Sequence, residues 1–183
     1  MLPEQGSGYA SADAKPPRLL GVRPMLALAL CGEAAKAQQL LDALVTGHPK
    51  DTRINGIWAP TIRAAIELER GKARAAVDLL EGAERYEAAA QFWPQYLRGQ
   101  AYLKLGRSTE AAVEFRKILD HRGHSPLSVL YPLAHLGLAR AAAMNGDATK
   151  ARQAYQEFFA LWKDADADLR VLIEAKKEYE KLK

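Results

Sequence analysis

Four glycines set the frame of this chain. Gly32, Gly71, Gly106 and Gly146 stand 39, 35 and 40 residues apart, and aligning the sequence on them brings other positions into register. Five residues after each glycine stands an alanine: Ala37, Ala76, Ala111 and Ala151. Nine residues after come the large apolar side chains Leu41, Leu80, Phe115 and Tyr155, and twelve after come Leu44, Ala83, Ile118 and Phe158. Apolar positions at i, i+4 and i+7 make one stripe of an α-helix, so each glycine is followed by a helix that buries one face. The same holds before the glycines. Met25, Ala64, Gly99 and Ala139 lie seven residues ahead, and Leu28, Glu67, Tyr102 and Ala142 four ahead. A small residue there lets two antiparallel helices approach closely, while the glycine supplies the positive φ that ends a helix at low cost. Each unit is therefore expected to be a helix-turn-helix pair. A pair of this size cannot bury its apolar face alone and must stack on its neighbours.

Composition agrees with helices. Of 183 residues, 34 are alanine and 25 leucine, against 6 valines and 6 isoleucines, a ratio that favours helix over sheet. With 49% hydrophobic and 26% charged residues the chain is too apolar to be disordered and too charged for a membrane bundle. No window approaches the ~18 to 20 apolar residues that span a bilayer, so no membrane is expected and the chain is read as cytoplasmic. The formal net charge of +4 is spread along a sequence in which bases alternate with acids, so no nucleic acid is expected either. Residues 1–18, rich in Gly, Ser, Ala and Pro, read as a flexible N-terminal segment. The array is placed at 19–163. Over 164–183, three aspartates lead into Leu169, Leu172, Ile173, Tyr179 and Leu182, an amphipathic C-terminal helix expected to cap the last unit.

These residues resemble the tetratricopeptide repeat, a 34-residue pair of antiparallel helices. The third unit, GQAYLKLGRSTEAAVEF, carries Gly99, Tyr102, Gly106, Ala111 and Phe115 where that family has them; the fourth, ARAAAMNGDATKARQAY, matches through Ala139, Gly146, Ala151 and Tyr155. Pro49 stands at the family's inter-repeat proline. Glu67 departs from the pattern in the second unit, and the tryptophan usual eleven residues before the turn glycine is absent from all four units, where Gly21, Pro60, Gln95 and His135 stand. The resemblance implies an all-α fold: a right-handed α-α superhelix, or solenoid, of about four units plus the capping helix. Steps of 39 and 40 place insertions near Thr52–Gly56 and Gly123–Leu130, which either extend the next helix or loop out. Pro60, Pro94 and Pro132 fall early in first helices, where proline is tolerated. The stretches TIRAAIELERG, YLRGQAYLKLG, KILDHRG and LARAAAMNGDATKARQAYQEFFALWKDAD also look like the C-terminal repeat tail of bacterial, chiefly acidobacterial, proteins with an N-terminal serine/threonine kinase or DNA-binding domain. That likeness implies a tail or fragment of a larger signalling protein.

No catalytic set emerges, and the chain is not expected to be an enzyme or to need a cofactor. The glycine-rich nucleotide loop, the strand lysine and the Asp-Phe-Gly segment of a kinase are missing. His121 and His124 could approach one metal ion, but Gly123 separates them and no cysteine joins them, so they read as a helix end and no metal is expected. The single cysteine, Cys31, excludes an internal disulfide and reads as a small buried hydrophobe. His48 reads as a helix C-terminus.

In such a superhelix the family resemblance implies that the first helices line a concave groove. Counting thirteen, ten, six and two residues back from the turn glycines gives Trp58, Thr61, Ala65 and Glu69; then Trp93, Tyr96, Gln100 and Lys104; then Leu133, Leu136, Arg140 and Met144. Aromatic anchors beside Gln100, Lys104 and Arg140 suit a protein or peptide ligand with apolar and acidic groups. Trp58 and Trp93 either face that ligand or seal contacts between repeats. The expected function is a non-catalytic protein-protein interaction scaffold. The alternative is a structural module that self-associates, as a homodimer for example, through its end helices.

Overall fold

The computed structural model describes residues 21–83 and 90–182, and among them the chain is all-α, with nine α-helices and no strand. The segment read as flexible, 1–18, lies outside the described residues. α1 (Val22–Leu30) and α2 (Ala34–Gly47) form a first hairpin, α3 (Ala59–Glu69) and α4 (Ala73–Glu81) a second, α5 (Trp93–Lys104) and α6 (Ser108–Asp120) a third, and α7 (Leu130–Met144) and α8 (Ala148–Leu161) a fourth. A last helix, α9 (Arg170–Glu180), follows α8.

The four glycines end the first helix of each hairpin in the same way. Their φ values are +83°, +77°, +72° and +75°, in the left-handed region that glycine enters without a Cβ penalty. The residue after each glycine donates its N–H five residues back: Glu33 to Leu28 at 2.9 Å, Lys72 to Glu67 at 2.8 Å, Arg107 to Tyr102 at 2.9 Å and Asp147 to Ala142 at 3.0 Å. Each glycine N–H in turn bonds the carbonyl three residues back. This pair of bonds is the Schellman closure of a helix C-terminus.

The register positions meet where the pattern needs them. Ala37, Ala76, Ala111 and Ala151 are fully buried, and so, within 1%, are Leu41, Leu80, Phe115 and Tyr155. Leu44, Ala83, Ile118 and Phe158 are buried as well. Substantial helix-helix contacts run only between elements one or two apart in the chain, with α1 against α3, α3 against α5 and α5 against α7. The core is accordingly a string of three clusters, over α1–α5, α5–α7 and α7–α9. Trp93, Tyr96 and Tyr102 touch the first two and Leu133 the last two.

The two insertions resolve differently. The first extends its helix: residues 52–53 are helical and Ile54–Trp58 forms a π-helical segment running straight into α3, with the Ala59 N–H bonded to the Ile54 carbonyl. Pro60, which has no N–H to give, sits where the π segment hands over to the α-helix, a junction suited to a missing bond. The second insertion loops out as a short 3-10 turn, Arg122–His124, and an irregular stretch to Val129. Pro94 and Pro132 lie in the first turns of α5 and α7.

Candidate binding surface

The residues counted off as groove-lining separate into three groups. Thr61 and Ala65 are completely buried, Trp58 is 8% exposed and Leu136 2%. α3 is flanked by α1 and α5 together, so its sides are consumed by packing, and the Thr61 hydroxyl donates to the Ile57 carbonyl at 2.6 Å. These four are core residues and no ligand reaches them while the helices stay packed. A second group is accessible in part but spent on the protein's own structure. Lys104 donates from Nζ to the Leu68 carbonyl at 3.0 Å, capping the C-terminal end of α3. Arg140 makes a two-pronged bond with Glu178 of α9, Nε to Oε2 at 2.9 Å and Nη2 to Oε1 at 3.0 Å. The Tyr155 hydroxyl donates to the same Oε2 at 2.8 Å. Burial and the Glu178 carboxylate both push the Tyr155 phenol well up; burial works against the Arg140 charge, but the Glu178 hydrogen bond and charge outweigh it and raise the guanidinium. Arg140 therefore serves to lock α9 in place.

The third group remains available. Trp93, Tyr96 and Gln100 are half-buried on α5, Leu133 is half-buried, and Glu69 and Met144 are exposed. Trp93 and Tyr96 meet edge to face at 6.1 Å, and Tyr96 meets Phe115 at 6.1 Å. Burial pushes the Tyr96 phenol up, against the charge of Arg140 and the hydrogen-bonding side chain of Gln100, so Tyr96, Gln100 and Arg140 share one patch.

Beside Trp93 opens a cavity of about 530 Å³, walled by Arg23, Leu26, Ala27 and Leu30 of α1, by Gln91 and Trp93, and by the looped-out stretch from His124 to Val129. Arg23 donates from Nη2 to Gln91 Oε1 at 2.7 Å across it. Gln91 and Phe92 are consecutive non-glycine residues with φ of +53° and +68°. Their turn buries Phe92 beneath His124, whose ring stacks on it at 6.2 Å with planes 6° apart. Counting back from the glycines could not find this site, because half of its wall is an insertion that has no equivalent in the other units. Its sequence signal was the 40-residue step from Gly106 to Gly146, which marks an insertion near Gly123–Leu130.

Cys31 is exposed at the end of α1, not buried, because the C-cap position faces water. His48 does end α2, with Nδ1 3.0 Å from the Leu44 carbonyl. The His121 and His124 rings lie 5.5 Å apart, yet among the described residues no group of three or more His, Cys, Asp or Glu side chains is placed to hold a metal ion. No helix among the described residues is long and apolar enough to cross a membrane. Compared with known proteins, the chain matches no family, no curated protein and no solved structure.

Proposed function

We propose that the chain is a non-catalytic protein-interaction scaffold of the tetratricopeptide-repeat kind, its four hairpins and α9 forming a superhelix that binds a peptide or partner domain on the side of its first helices. The observation that carries this reading is the equivalence of the hairpins. The same alanine, the same bulky partner and the same glycine closure recur four times at buried, matching positions. Stacked repeats of this sort present extended surfaces to other polypeptides. The cavity walled by α1 and Trp93 of α5 supplies a recess that such a surface needs, and the half-buried Trp93 is of the type that anchors partners. Membership of a larger signalling protein with a kinase or DNA-binding head belongs to the same proposal.

The test is a display selection of random twelve-residue peptides against the full chain. Enriched peptides that bind wild type but not Tyr96→Ala or Leu127→Asp, and that still bind Val113→Asp on the α6 side, support the reading. No enrichment above an unrelated helical protein sinks it. Self-association is the second reading, favoured by Leu169 and Ile173, which leave 39% and 38% of their surface exposed around α9. A concentration-dependent mass in light scattering that Ile173→Asp abolishes would establish that alternative instead.

A further inference from the structure

We propose that the cavity between α1 and the 124–129 stretch takes a peptide segment combining leucine-like side chains with carboxylates. This deepens the scaffold reading and rests on it. The walls decide the chemistry. Leu30, Trp93, Leu127 and Val129 supply apolar surface, and Leu127 is 99% exposed at the rim, an arrangement that leaves a large aliphatic side chain in water with nothing over it. Among the described residues the charged lining is of one sign: Arg23 is present and neither Asp nor Glu contributes. Arg23 is exposed, its one hydrogen bond is to the neutral amide of Gln91, and among the described residues it makes no ion pair. Its free donors point to an acceptor that brings negative charge, which a guanidinium binds more strongly than any neutral group. The His124 imidazole and the Ser125 hydroxyl add donors on the facing wall.

The site is also held open. Two successive residues in the left-handed region, Gln91 and Phe92, are tolerated where surrounding contacts fix them, and such strain gathers at ligand sites. Here the Arg23 bond fixes Gln91, and the His124 ring stacked on Phe92 anchors the looped-out wall from beneath. The volume of about 530 Å³ lies within the range of pockets that enclose compact ligands.

The probe is a fluorescein-labelled peptide, GLDELLEFG with blocked ends, against its amide isostere GLNQLLQFG, titrated with the full chain and followed by anisotropy. The acidic peptide is expected to bind about tenfold tighter at low salt, in line with a charge-assisted bond. Arg23→Ala should remove most of that ratio, and Leu127→Asp should abolish binding of both peptides. Both residues are exposed, and an unchanged far-ultraviolet circular dichroism spectrum verifies that each variant is folded. Equal affinity of the two peptides, or an unchanged ratio in Arg23→Ala, overturns the proposal even where the display selection has succeeded. So does a dimer in sedimentation that Leu127→Asp dissociates, which would make a second copy the occupant. Binding that emerges only on deletion of residues 1–20 overturns it too, since the site would then belong to the chain's own leader.

Discussion

Phe115 sits between two glycines on neighbouring helices. A Cβ built on Gly99 of α5 would lie 2.7 Å from its ring, and one built on Gly137 of α7 would lie 2.5 Å away, so the ring wedges three helices together only because both neighbours lack side chains. Gly137→Ala is expected to cost about 1–3 kcal/mol, the usual penalty of forcing extra volume into a close-packed core, and to lower the urea midpoint accordingly. Equal midpoints would mean that the ring moves aside. Nearby, Arg98 and Glu114 form an ion pair at 2.8 Å with side-chain exposures of 1% and 8%, joining α5 to α6. Removing Glu114 takes a 2.8 Å carboxylate away from a guanidinium that is almost wholly buried. Glu114→Ala should cost about 3–5 kcal/mol, whereas replacing both residues by Met and Leu should restore much of it, a difference that a double-mutant cycle in urea reads directly. His135 offers a pH handle. Burial lowers its imidazole, opposed by Glu157 and aided by Arg122, with the Tyr131 ring 5.2 Å away. The unfolded chain, whose imidazole keeps the ordinary value near 6.5, takes up the proton first. Stability should therefore be complete above that value, fall as the pH drops through it, and level off below the depressed folded value. His135→Gln should flatten this stretch of the stability profile.

At the scale of single elements, α9 differs from the rest in how it is attached. Leu172 and Ala175 are buried against α7 and α8, but the polar lock is one carboxylate, Glu178, shared by Arg140 and Tyr155. Glu178 is 35% and Arg140 27% exposed, so solvent screening holds the worth of the pair to on the order of 1 kcal/mol. Glu178→Ala is expected to speed hydrogen exchange across residues 170–180 while α1–α4 keep their protection. Uniform loss of protection would show α9 to be part of a single cooperative unit. The helix itself was readable from its aspartates and spaced apolar residues. Its lock was not, since a glutamate on the exposed side of a predicted helix carries no mark that a distant arginine will find it. The same asymmetry runs through the hairpins. Turn glycines, register alanines and bulky partners recur at fixed offsets along the chain, so their spacing exposed them. Thr61 and Ala65 lie on α3, which packs against both α1 and α5, and Leu136 is buried in the cluster of α7–α9; a count along one helix could not distinguish a side that faces a ligand from one that faces another helix. The insertions show the limit in another form: equal in length within a residue or so, one became a π-helical extension and the other the wall of a cavity.

For the molecule as a whole, the arrangement of the core predicts how it comes apart. Three clusters overlap along the chain, and the links between neighbouring clusters are partly buried residues: Trp93, Tyr96 and Tyr102 at one junction and Leu133 at the other. When the substantial helix-helix contacts join elements one or two apart, stability approximates a sum of hairpin terms and nearest-neighbour interfaces, and one end can open while the other stays folded. Phe158 is fully buried in the last cluster, where it meets Phe159 and Trp162 at 5.6 Å and 5.0 Å. Phe158→Ala should cost about 3–5 kcal/mol by lost burial and a residual cavity. In a chain of coupled hairpins that cost falls mainly on α7–α9. Hydrogen exchange should accelerate there by orders of magnitude, and amides of α1 and α2 should slow or speed by less than about tenfold. Leu41→Ala in the first cluster should give the mirror image, with α1–α3 opening and α8 retained. If either substitution lowers protection equally from α1 to α9, the three clusters unfold as one body. The overlap through Trp93, Tyr96, Tyr102 and Leu133 is then strong enough to weld the units together, and a partner seated beside Trp93 would be bound by a rigid frame instead of one that can open at its far end.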